Sequence, residues 1–203
     1  MKYLKMLGLA AIAAGALMAF AGAGTASATE LTCTNPPGTK VMCAAPTHIH
    51  AEVEGKVTLH PPIGDIECSE GTVTGDASTG SSTTTPSGAI ETLTFGGCNA
   101  EVVVIENGSL EVHTKTASAD GNGTLTSTGA KVTVTFVGFH CIFTTSNTDI
   151  GTLTGSSTTG ATPTLDIEAT IPRTGGRSGA FCGSTAQWTG SYKVTTPDWL
   201  DVD

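Results

Sequence analysis

Along residues 29–203, apolar and polar side chains alternate with a period of two in a series of short runs: 48–60, 72–75, 90–95, 102–105, 110–114, 131–139, 164–171 and 187–195. Successive side chains of a strand point to opposite faces, so each run predicts a strand with one face in a core and one in water. Asn107-Gly108, Asp120-Gly121-Asn122-Gly123 and Gly175-Gly176 stand between runs as turn formers. No stretch carries a helical period. Short strands at this spacing predict an all-β fold, an antiparallel β-sandwich of immunoglobulin-like or jelly-roll-like kind. Two stretches break the alternation. Residues 29–47 hold three prolines and the close pair Cys33 and Cys43 and read as an N-terminal disulfide loop, while 76–87 are almost all Ser, Thr, Gly and Pro and read as a surface loop. Composition agrees, since Thr makes up roughly a fifth of this region and β-branched residues favour the pleated surface.

The first 28 residues differ from the rest. Lys2 and Lys5 precede an apolar segment over 6–20, which ends in small residues at Ala26-Ser27-Ala28. That order is the plan of a secretory signal peptide, and its apolar core of about 15 residues falls short of the roughly 20 that span a bilayer. The expectation is a signal helix cleaved after Ala28, a disulfide loop over 29–47 and a β-sandwich domain over 48–203, with no transmembrane segment in the mature chain and a secreted, extracellular location. Export changes the meaning of the cysteines. Cys33, Cys43, Cys68, Cys98, Cys141 and Cys182 all follow the signal and form no C-x-x-C pair, so they predict three disulfides rather than a redox or zinc motif. The sequential pairing is the favoured one. Cleavage also removes two of the nine basic residues and leaves a formal charge of −11, which argues against nucleic acid as a partner.

Candidate chemistry is sparse. In His48-Ile49-His50-Ala51-Glu52-Val53-Glu54 the polar residues share one strand face, and His48 and His50 form half of a zinc or copper site. A glycosidase needs two carboxylates across a cleft, for which Asp65 with Glu67, Glu101 with Glu106, and Asp166 with Glu168 are the candidates. No G-x-S-x-G or phosphate-binding glycine loop occurs, and Ser178 in its Gly-rich segment fits a disulfide-bearing connection better than a nucleophile. Trp188 and Tyr192, four apart, share a strand face and suit ring stacking against a ligand, although large aromatics in an aromatic-poor chain more often fill a core.

Several C-terminal segments carry a resemblance: Asp149 through Gly155, Ala169-Thr170-Ile171-Pro172-Arg173, Phe181-Cys182-Gly183-Ser184, Trp188 through Tyr192, and Thr196 through Val202. Over roughly the second half of the chain, these resemble a group of exported actinobacterial proteins that have no agreed activity. The Thr-rich strands with paired cysteines are similar, more distantly, to secreted alkane-oxidation activator proteins. Neither resemblance implies catalytic residues or a cofactor. The function expected is that of a secreted non-catalytic module, binding, cell-envelope-associated or structural, with an envelope component or polysaccharide as the partner class. The alternatives are a secreted glycosidase-like hydrolase and a metal-binding protein using the His-x-His strand.

Overall fold

Five long strands carry the fold: β2 (Thr47–His60), β3 (Ile66–Ala77), β5 (Ser87–Cys98), β12 (Thr164–Gly176) and β13 (Thr185–Thr196). They belong to a computed structural model that describes residues 29–33, 41–81, 84–114, 121–159, 162–177 and 179–203. The signal segment 1–28, residues 34–40 of the disulfide loop, Asp120 and Ser178 lie outside the described residues. Three further staves each consist of two strands in line. These are β6 (Glu101–Glu106) with β7 (Ser109–Thr114), β8 (Gly123–Thr128) with β9 (Lys131–Phe136), and β10 (Phe139–Thr144) with β11 (Thr148–Thr154). Each bends at a residue of positive φ: Gly108, Gly129 and Asn147. At Gly108 a side chain is also excluded by space, because a Cβ there would run into the backbone of Thr128 and Ala130 on the neighbouring stave.

All these strands pair antiparallel with their neighbours in the chain, and the last pairs with the first, Tyr192 lying opposite Val53. With β11 paired to β12 from Gly151↔Ile167 to Thr154↔Thr164, the strands β2, β3, β5, β7, β8, β11, β12 and β13 close into an eight-stranded barrel. The expected sandwich is therefore corrected to a barrel. The all-β class and the alternation hold in both. What differs is whether the apolar faces meet those of a second sheet or those of the same sheet curled on itself, and that depends on the pairing of β13 with β2.

A small sheet in the order β14-β1-β4 stops the lower end of the barrel, formed by β1 (Thr29–Thr32), β4 (Gly80–Ser81) and β14 (Asp201–Val202). Strands thus enter both stretches expected to be loops. Leu31, Leu200 and Val202 are buried there. The buried Asp201 accepts from the Ser157 backbone N–H and hydroxyl at 2.9 Å each, and from Trp199 Nε1 at 3.0 Å, which satisfies a carboxylate that burial would otherwise disfavour. Ser157 belongs to a single helical turn, α1 (Ser156–Thr159). At the upper end another single turn, α2 (Gly179–Cys182), is tied to β10 by Cys141–Cys182. Cys33–Cys43 and Cys68–Cys98 complete the three bonds, in the sequential pairing. Three disulfides point to an oxidising environment.

Candidate functional site

Closing the sheet aims one face of every stave at the barrel axis. On β2 these positions include Ile49, Ala51 and Val57, and on β13 they include Ala186, Trp188, Tyr192 and Val194. They do not fill the lumen. An upper chamber of about 90 Å³ is bounded by Leu59, Phe95, Val134, Phe143, Ile171 and Trp188, among others. A lower one, also about 90 Å³, is bounded by Ile49, Ala51, Leu125, Leu153, Val194 and Leu200. Val73, Ile90, Leu110 and Leu165 line both, so the chambers adjoin. Apolar inside and polar outside is the reverse of a barrel that faces lipid. No helix among the described residues is long and apolar enough to cross a membrane.

Tyr192 lies against the upper chamber and is fully buried. Its ring meets Trp188 edge to face at 6.4 Å between centroids, and Trp188 meets Phe95 in the same way at 6.3 Å. The two aromatics expected to form a stacking platform are thus together, inside the barrel. The Tyr192 hydroxyl has no hydrogen-bond partner, alone among buried side-chain polar atoms of the described residues. Burial pushes its pKa well above the ordinary tyrosine value, so the phenol stays neutral and keeps its proton to donate.

The wall is unzipped along one side of β5. β5 pairs with β7 only through Ser87, Gly88 and Ala89. Just above, the Ile90 N–H donates to the Gly108 carbonyl and Asn107 Nδ2 donates to the Glu91 carbonyl at 2.6 Å. Beyond that point β5 pairs only with β3, and β6 only with β9. The slot between β5 and β6 ends at the Cys68–Cys98 bond and the Asn99-Ala100 turn. Val103 and Ile105 beside it are about half exposed, at 48% and 50%. Amide exchange is expected to be faster over 101–106 than in β2 and β13, which are paired on both sides. Equal protection measured by mass spectrometry or NMR would mean that the slot is closed.

The remaining candidates sit on the outer wall. His48 and His50 do share a face, but their partners diverge: His48 Nδ1 lies 2.9 Å from Asp76 Oδ1, and His50 Nδ1 lies 3.1 Å from Thr195 Oγ1. No cluster of three or more His, Cys, Asp or Glu side chains suited to a metal occurs among the described residues. Of the carboxylates, Glu67 pairs with Lys56 at 2.8 Å and Glu106 with Lys131 at 3.2 Å, and Asp166 accepts from the Ser191 hydroxyl. One arrangement escaped sequence reasoning. His60 Nδ1 lies 2.8 Å from Asp65 Oδ1, and His60 Nε2 lies 3.3 Å from Thr189 Oγ1, in the order of a hydrolytic triad. It stands on the outside of the barrel, and neither His60 nor Thr189 borders the two chambers of the lumen. A triad needs a bound substrate and oxyanion donors about 3 Å from its nucleophile. The lumen combines shape with an unspent polar group and is the better site. No protein-family profile, curated protein or solved structure matches the chain.

Proposed function

We propose that this protein is an exported, non-catalytic binding module that holds a small apolar ligand in the lumen of its barrel. The observation that carries this reading is the unpartnered Tyr192 hydroxyl in an otherwise apolar cavity. Buried hydroxyls in folded proteins are nearly always hydrogen-bonded, and leaving one unmade costs about 1–3 kcal/mol. A bound ligand that meets the hydroxyl removes that cost, which makes the defect in the empty barrel a feature of the filled one. A sugar fits poorly, because it needs several converging polar groups, whereas this lining is almost wholly apolar and the Ser127 and Thr145 hydroxyls along it are bonded to each other at 2.9 Å. Export is supported by the charged, apolar and small-residue order of the first 28 residues together with the three disulfides.

Two measurements test the reading. Apolar chambers of this kind stay dry and accept xenon, so crystals pressurised with xenon should show it in the lumen. Xenon found only outside the barrel would mean that the chambers do not exist in the folded protein. Tyr192→Phe keeps the ring and removes the unpaired hydroxyl, so the ligand-free variant should be more stable than the wild type by about 1 kcal/mol in denaturant titrations. A loss of stability would show that the hydroxyl is already bonded.

A further inference from the structure

Resting on the lumen reading, we propose that the ligand is a slender, unbranched alkyl chain bearing one neutral hydrogen-bonding group, a hydroxyl or a carbonyl, which is held at the Tyr192 hydroxyl. The volume of either chamber alone is too small for a ring. A cavity of about 150 Å³ is the size that takes benzene, and each chamber here has about 90 Å³. A flexible chain needs less width. It can pass from one chamber to the other where Val73, Ile90, Leu110 and Leu165 line both.

The charge of the head group follows from what lines the chambers. Among the described residues no Lys, Arg or His borders either chamber, and the single acidic one, Asp76, is engaged by His48. An ionised carboxylate or phosphate inside would lose its hydration and gain no counter-charge, a cost far larger than any hydrogen bond returns. A hydroxyl or carbonyl loses much less. The Tyr192 phenol can donate to either and can also accept from a hydroxyl. A ligand entering from the side would pass between β5 and β6, where no strand pairing has to break; Leu93 and Phe95 on one lip and Val102 on the other line the upper chamber, and Val103 and Ile105 are half exposed.

The test uses three probes of equal chain length, 1-hexanol, hexane and hexanoate at pH 8, titrated by NMR into the full disulfide-bonded protein and into its Tyr192→Phe variant. The expected result is that Tyr192→Phe weakens 1-hexanol about tenfold and leaves hexane within about twofold, because only the alcohol uses the lost hydroxyl. Hexanoate should bind the wild type at least a hundredfold more weakly than 1-hexanol. Equal 1-hexanol affinity in the two proteins, or hexanoate binding as tightly as 1-hexanol, would overturn the proposed ligand class while leaving the lumen as a site. If none of the three binds, the lumen reading itself falls.

Discussion

Replacing Cys141 and Cys182 together by alanine is expected to lower the stability of the domain by about 4 kcal/mol, the largest loss that any one of its three disulfides should produce. The bond joins residues 41 apart, against 30 for Cys68–Cys98 and 10 for Cys33–Cys43, and in the chain-entropy account a longer closed loop restrains the unfolded chain more. The native state adds to this. Both cysteines are completely buried, and their bond holds α2, with Phe181 against the ring of Phe139, to the upper end of β10. Freed from the bond, α2 keeps the Arg173 Nε hydrogen bond to the Gly183 carbonyl just beyond its end, but a turn of four residues has little stability of its own. Urea titrations of the double variant and the wild type give the difference directly. A change below about 1 kcal/mol would mean that the unfolded chain is restrained by other means and that the bond is not a main staple. Alanine at both positions of the shorter Cys33–Cys43 loop should cost less, about 3 kcal/mol.

How much of this was legible in the sequence depends on how local the signal is. The alternation around His48, Ile49, His50 and Ala51 assigns the faces of β2 correctly, because period two is a property of a single strand. The run read over 131–139 joins β9 to the start of β10 across the turn at Val137-Gly138, where both φ values are positive. Gly123–Thr128 and Thr148–Thr154 escaped as strands: Leu125 is the only large apolar residue of the first and Ile150 and Leu153 those of the second, among Gly, Ser, Thr and Asp, which leaves the alternation faint. Closure was invisible for a different reason. The pairing of Tyr192 with Val53 spans most of the chain, and neither strand carries a mark of its partner. The site inherits that blindness. Trp188 and Tyr192 can be placed on one face from their spacing, but that the Tyr192 hydroxyl is left without a partner depends on the other staves that enclose the upper chamber, Leu59, Phe95 and Phe143 among their residues. The His60, Asp65 and Thr189 contacts are also set by cross-strand register, since β13 brings Gln187 opposite His60 and so places Thr189 one diagonal away.

Phe143→Ala is expected to cost about 3–5 kcal/mol and to change what the lumen admits. Phe143 is 1% exposed on β10, between Val132 on β9 and Arg173 on β12, with its side chain bounding the upper chamber. Removing the ring loses its transfer free energy and leaves a hole that a closed barrel cannot easily collapse to fill, because β10 is held to β9 along its whole length and to β12 from Cys141 to Phe143. The cost should therefore fall towards the upper part of the range, at about 24 cal/mol for each Å³ left empty beyond the transfer term. The enlarged chamber becomes wide enough for a ring. Benzene should then bind Phe143→Ala and restore part of the lost stability, by about 2.7 kcal/mol at a hundred times its dissociation constant, while leaving the wild type unshifted. Thr170→Ala, on the outer face of β12, serves as the control, with little change in stability and no gain of benzene binding. A wild type already stabilised by benzene would mean that its upper chamber is wider than 90 Å³ and not selective for chains. A Phe143→Ala protein indifferent to benzene would mean that the wall had closed over the space, and that the lumen is held open by its side chains rather than by the hydrogen-bonded barrel.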